Sequence, residues 1–137
     1  VDLAREAVGG SFVDQQVAVW GAAFKPNSDD VRDSPALDVA AAIYTEGAEV
    51  TVHDPQAMGN AKKSFPHLFY ASSAIEAVQG ADVLLLLTEW PEYQDVDPHV
   101  AGDLMRKLQV IDARNALDPH SWRSAGFRYR GLGRPLA

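Results

Sequence analysis

Three cations, Lys25, Arg32 and Arg114, stand where an open α/β sheet would need them to hold an anionic ligand. In such sheets ligands bind beyond the carboxyl ends of the strands. Lys25 and Arg114 each follow closely on an apolar run that reads as a strand, and Arg32 lies further along the polar segment that holds Lys25. Gly21 lets the chain leave its strand sharply. Lys25 then supplies a compact cation, Phe24 an apolar plate, and Arg32 a planar fork suited to phosphate or carboxylate. A helix beginning at Ser34-Pro35 would aim its partly positive end at the same rim. The plainer reading makes Lys25 and Arg32 solvated loop cations paired with Asp29, Asp30 or Asp33. Arg114 suits a phosphate clamp or a stack on a base, or else a surface ion pair with Asp112 or Asp118. Glu89 has the chemistry to accept hydrogen bonds from a sugar or from nearby backbone. Trp90 is a stacking platform or, more simply, a core plug beneath its loop.

Other chemistries are excluded or unsupported. The 137 residues contain no cysteine, which removes thiolate nucleophiles, disulfides and Cys-bound zinc. His53, His67, His99 and His120 lie far apart and in no metal-ligand spacing, so no metal is expected. Neither G-x-G-x-x-G nor G-x-x-x-x-G-K-[ST] occurs, which disfavours a self-sufficient dinucleotide or P-loop site. No Ser/His/Asp set follows from chain order. No residue of this chain is therefore assigned a catalytic role. Net charge is −7 and the basic residues are scattered, apart from Arg123, Arg128, Arg130 and Arg134 near the end, so no nucleic-acid partner is expected. The longest apolar run, Val83 to Leu87, is far short of the ~20 residues a membrane helix needs, so no membrane partner is expected either. The start, Val1-Asp2-Leu3-Ala4-Arg5-Glu6, is not a signal peptide.

The elements that must position these groups follow from the pattern. Residues 1–8 read as the end of a helix stopped by Gly9-Gly10, and a chain that begins within a helix suggests a piece of something longer. Gln16–Trp20 reads as a buried strand and Phe24–Ser34 as a long polar loop. A helix with Ser34 as N-cap and Pro35 in its first turn runs to Gly47. Glu49–His53 alternates as a strand closed by Asp54-Pro55. A short helix over 56–63, a short strand or an extended link over 67–70 and a helix over 73–79 precede Asp82–Thr88, apolar on both faces and so a central strand. Glu89-Trp90-Pro91 reads as a loop, Asp97–Lys107 as a helix, Val110–Asp112 as a strand, Pro119–Ala125 as a helix and Phe127–Arg130 as an edge strand. Strands alternating with helices imply right-handed βαβ units. The expected fold is α/β: an open, doubly wound parallel sheet, three-layered and incomplete relative to a full Rossmann fold. A chain of this length fits one domain, burying roughly two-thirds of its unfolded surface.

The run from Val17 to Leu37, containing Gly21-Ala22-Ala23-Phe24-Lys25-Pro26-Asn27-Ser28-Asp29-Asp30-Val31-Arg32-Asp33-Ser34-Pro35-Ala36, closely resembles the opening of the C-terminal domain of the UDP-glucose/GDP-mannose dehydrogenase family. The family pattern there is near G-L-A-F-K-P-N-T-D-D-x-R-E-S-P-A. The departures are mild: Ala22 for a larger apolar residue, Ser28 for Thr, Asp33 for Glu. Val52-His53-Asp54-Pro55, Ala81-Asp82, Thr88-Glu89-Trp90 and Asp112-Ala113-Arg114-Asn115 match in order, so the resemblance covers nearly the whole chain.

The resemblance implies a UDP-sugar-binding domain over 11–137, with residues 1–10 as the end of an inter-domain helix. It implies a cytoplasmic enzyme that oxidises the sugar C6 hydroxyl of a nucleotide sugar to a carboxylate in two NAD-dependent steps. Phe24, Lys25 and Arg114 would line the UDP-sugar site, Arg114 from its own or a neighbouring subunit, and Arg32 would reach the NAD pyrophosphate. Glu89 and Trp90 belong to a family motif without an assigned role. NAD would be held mainly by an N-terminal domain of the same enzyme, which would dimerise when full length. The family's nucleophilic cysteine lies before this domain, so the chain alone is expected to be inactive. The Asn27-Ser28-Asp29-Asp30 form and the Glu89-Trp90 pair lean to UDP-glucose, although UDP-N-acetylmannosamine and GDP-mannose enzymes share these motifs. A stand-alone flavodoxin-like regulatory module is the reading of a different class.

Overall fold

The computed structural model describes residues 2–23 and 34–131. In chain order its elements are α1 (Asp2–Ala7), β1 (Gln16–Trp20), α2 (Pro35–Thr45), β2 (Glu49–His53), α3 (Met58–Ser64), β3 (Phe69–Tyr70), α4 (Ala74–Ala77), β4 (Val83–Leu86), α5 (Pro91–Gln94), α6 (Pro98–Leu104), β5 (Gln109–Asp112), α7 (Pro119–Ser124) and β6 (Arg128–Gly131). The strands form one sheet in the order β3-β2-β1-β4-β5-β6, and every neighbouring pair is parallel. The expected open, doubly wound parallel sheet is present, and its six strands take the two-halved order of a Rossmann-like sheet.

Register assigns the two faces. Val19 pairs with Val52 and Leu85, and Leu85 with Ile111, so these side chains share one face. Trp20, Leu86 and Asp112 share the other. On the second face the Trp20 indole donates to the Ala74 carbonyl at 3.0 Å. It also stacks on Tyr93 with centroids 4.9 Å apart and meets Trp122 edge-on at 6.1 Å. The helices α4, α5 and α7 therefore cover this side. The right-handed crossover from β1 to β2 puts α2 on the first face. There α1 lies over β4 and β5, tied by the Gln109 amide donating to the Ala7 carbonyl. β1 from Val17 onward and all of β4 are buried, which is why both read as continuous apolar runs.

Three helix starts follow one rule. Ser34, Asp97 and Asp118 each accept a backbone N–H from the first turn, and each precedes a proline that opens the helix. Two local expectations are corrected. Glu89 and Trp90 form the expected loop, but Pro91 leaves it to open the short α5, whose N-cap Trp90 makes no side-chain capping bond. The helix expected to reach Lys107 ends at Leu104. Beyond it the Arg106 and Lys107 amides donate to the Ala81 carbonyl at 2.9 and 3.3 Å, and the Arg106 guanidinium grips the fully buried Asp82 at 2.6 and 2.8 Å. These long-range bonds pull the last turn out of the helix. Among the described residues no helix is long and apolar enough to cross a membrane.

Candidate functional site

The strand order reverses direction between β1 and β4, so the crevice at their carboxyl ends is where a ligand of such a sheet binds. The two exits are locked together. Gly21 leaves β1 at φ +107°, and a Cβ there would lie 2.4 Å from Thr88 Cβ and 2.6 Å from Thr88 N. Only glycine permits that approach. Thr88, itself buried, donates its hydroxyl to the Ala23 carbonyl at 2.8 Å. Ser34 donates to the Ala22 carbonyl at 2.7 Å while capping α2. Residues 24–33 are thus flanked on both sides by anchored backbone.

Asp54 binds the rim loops to one another. Fully buried, its carboxylate accepts from the Ala22 and Ala23 amides at 2.8 and 3.0 Å, the Gln56 and Ala57 amides at 2.9 and 2.8 Å, and the Trp90 indole at 3.0 Å. The loops after β1, β2 and β4 converge on this one side chain. The turn-forming role read from Asp54-Pro55 is present in the bonds to Gln56 and Ala57. The reach to Ala22, Ala23 and Trp90 gives no signal in sequence. It also bears on cofactor fit. A dinucleotide fold offers its pyrophosphate the N–H groups following the first strand, and here two of them are filled by the protein's own carboxylate. With no glycine fingerprint beside them, the described residues do not fit a dinucleotide phosphate cradle.

Behind the rim, Tyr93 donates its hydroxyl to the His53 carbonyl at 2.9 Å and sits 3.1 Å from His53 Nδ1. Burial pushes the His53 pKa below its usual value, against smaller opposing effects of Glu92 and Asp54. Burial pushes the Tyr93 hydroxyl strongly up, with Asp54 and Glu92 adding to it. Both are structural groups. No set of three His, Asp or Glu residues able to hold a metal occurs among the described residues.

Arg114 stands at the exit of β5. Its guanidinium is held by Glu89, Nε against Oε2 and Nη2 against Oε1 at 3.3 Å. This pairing holds its pKa above the ordinary value. Neither sequence neighbour takes that role. Asp112 is fully buried and accepts from the Arg114 and Leu117 amides and the Tyr129 hydroxyl at 3.1, 2.7 and 2.8 Å, while Asp118 caps α7. A cavity of about 210 Å³ opens beside Arg114, lined by Pro35, Ala36 and Val39 of α2 with Leu87, Ala113 and Arg114. Of the residues singled out from sequence, Arg114 and Glu89 come together, and Trp90 is a buried plug hydrogen-bonded to Asp54. Phe24, Lys25 and Arg32 lie outside the described residues.

Sheet order and strand-end crevice define a doubly wound α/β domain, with Arg114 and Glu89 paired at its carboxyl rim. The matching family model is that of the UDP-glucose/GDP-mannose dehydrogenase family, UDP binding domain, over residues 18–119, and the chain belongs to this family. It is 40% identical over 129 residues to a UDP-glucose 6-dehydrogenase of Rhizobium meliloti strain 1021, covering 94% of this chain and 30% of that protein. A Pseudomonas aeruginosa UDP-glucose 6-dehydrogenase is 36% identical over 96% of this chain and 30% of its own length. Among solved structures, a UDP-glucose dehydrogenase from Pyrobaculum islandicum superposes with a TM-score of 0.80 at 30% identity, over 98% of this chain and 28% of that one. An NDP-N-acetyl-D-galactosaminuronic acid dehydrogenase from Methanosarcina mazei Go1 gives 0.83 at 29% identity, over 98% and 28%. The chain spans about a third of the length of the curated relatives it matches.

Proposed function

We propose that this chain grips the nucleoside diphosphate of UDP-glucose for an enzyme that oxidises the sugar C6 hydroxyl to a carboxylate. In the complete reaction two hydrides pass to two NAD molecules and water supplies the second carboxylate oxygen. Arg114 contacts the UDP-sugar at the rim, together with Phe24 and Lys25 from the segment after β1, and Arg32 reaches towards the NAD pyrophosphate. NAD is held mainly by another domain of the same enzyme, in keeping with Asp54 filling the strand-end amides here. The oxidation chemistry belongs to residues outside these 137, which contain no cysteine. The full-length enzyme works as a homodimer.

The observation that carries this reading is the position of Arg114, bordering a cavity between α2 and the carboxyl ends of β4 and β5, in a chain of the UDP-binding family. UDP-glucose is favoured because the curated relatives named above are UDP-glucose 6-dehydrogenases. A second reading, an acetylated sugar, has support in the likeness to the Methanosarcina NDP-N-acetyl-D-galactosaminuronic acid dehydrogenase. Calorimetric titration with UDP, UDP-glucose and GDP-mannose tests the reading, using the wild type and a Lys25→Ala/Arg114→Ala variant. Saturable heat with UDP is expected, weakened at least tenfold in the variant, about 1.4 kcal/mol, with no NAD reduction by either protein. Equal affinities would remove both cations from the site.

A further inference from the structure

Glu89 and Arg114 are side chains of moderate exposure, 30% and 47%, mounted on hydrogen-bonded backbone. On one side of Glu89, the Thr88 hydroxyl is bonded to the Ala23 carbonyl. On the other, the Trp90 amide returns to the Thr88 carbonyl at 2.9 Å and its indole to Asp54. The Arg114 amide is bonded to the buried carboxylate of Asp112. The sheet brings the two mounts together, because β4 and β5 are neighbours and Leu86 pairs with Asp112. Glu89 takes the guanidinium along its Nε–Nη2 side. Arg114 lines the cavity, and the Glu89 carboxylate engages its Nε and Nη2, which leaves the guanidinium's Nη1 outside that pairing.

An exposed ion pair adds little to folding stability, so stability is a poor reason for this pair. A long arginine at a binding rim, however, loses rotamer freedom when it closes on a ligand, and a fixed partner removes that loss in advance. We propose that Glu89 is the positioning residue for Arg114: it holds the guanidinium by one side so that the group stays at the cavity mouth, ready for an anionic oxygen of a nucleoside diphosphate. This rests on the placement of Arg114 in the UDP site. A carboxylate competing with the ligand for Arg114 would act with the opposite sign, because its removal would strengthen binding.

The probe is UDP, titrated into the 137-residue wild-type chain and into Glu89→Ala, Glu89→Gln, Arg114→Ala and the Glu89→Ala/Arg114→Ala double variant, with thermal midpoints measured in parallel. Glu89→Ala is expected to weaken UDP binding roughly tenfold with an unchanged thermal midpoint, and Glu89→Gln, which keeps an acceptor but not the charge, to fall between it and wild type. In the Arg114→Ala background the Glu89→Ala change is expected to do nothing further, since a positioning residue has no effect without the group it positions. Unchanged or tighter binding by Glu89→Ala, or the same loss with Arg114 absent, would overturn the assignment while leaving Arg114 in the site. Wild-type affinity in Arg114→Ala would remove Arg114 from the UDP site, and the positioning role with it, while loss of UDP binding by the wild type would overturn the UDP-site reading itself.

Discussion

Asp54 accepts hydrogen bonds from the Ala22, Ala23, Gln56 and Ala57 amides and the Trp90 indole. A buried carboxylate loses its hydration, and direct N–H donors are what make its charge tolerable there. Asp54→Asn would remove the charge and turn an NH2 towards groups that are themselves donors. Such a change at a buried, fully bonded charge costs on the order of 3 kcal/mol. Trp90→Phe removes the indole donor and part of the buried ring volume, and is expected to cost about 2 kcal/mol. Urea unfolding measures both. Asp54→Asn proving no worse than Trp90→Phe would mean that the backbone amides contribute little, and that Asp54 is not what holds the three loops together.

At the scale of elements, the close approach of the β1 and β4 exits makes a sharper demand. Gly21 combines φ +107° with a Cβ position already occupied by Thr88 side chain and backbone. Gly21→Ala therefore meets both a left-handed backbone penalty and a steric clash that a rotamer change cannot relieve. A loss on the order of 3 kcal/mol is expected, read from the shift in the urea midpoint; a loss under about 0.5 kcal/mol, the range of an ordinary surface substitution, would show that the two exits can separate. The strands around this junction were legible in the sequence, because β1 and β4 are apolar on both faces and β2 is β-branched. So were the starts of α2, α6 and α7, each an acceptor side chain followed by proline. The end of α6 was not, because it is decided by Ala81 and Asp82, which lie distant in sequence. Nor was the partner of Arg114. Spacing offers Asp112 and Asp118, whereas strand pairing delivers Glu89. Local chemistry writes element starts into the sequence, while the contacts that complete the rim are made across strands.

For the whole molecule, Trp20, Trp90 and Trp122 are all buried in one continuous core that spans both faces of the sheet, so tryptophan emission should report a single cooperative unfolding transition. Its pH dependence should carry the mark of His53. That ring lies between the end of β2 and Tyr93 of α5, and burial holds its folded pKa below the ordinary 6.5. Above pH 6.5 both folded and unfolded forms are neutral and His53 adds no slope. As pH falls below 6.5 the unfolded chain takes up a proton that the folded chain refuses, so stability declines until the lowered folded pKa is reached and is level beneath it. Asp118 acts in a separate, more acidic window. Its bond to Ser121 lowers its folded pKa below 3.8, so its contribution, present above that value, is lost only as pH falls through the folded pKa. Urea midpoints measured from pH 7.5 down to pH 5 should decrease in the wild type, and His53→Gln should flatten that decline while lowering stability at pH 7.5 through the lost contact with Tyr93. An identical slope in the two proteins would assign the acid sensitivity to other groups and leave His53 as packing alone.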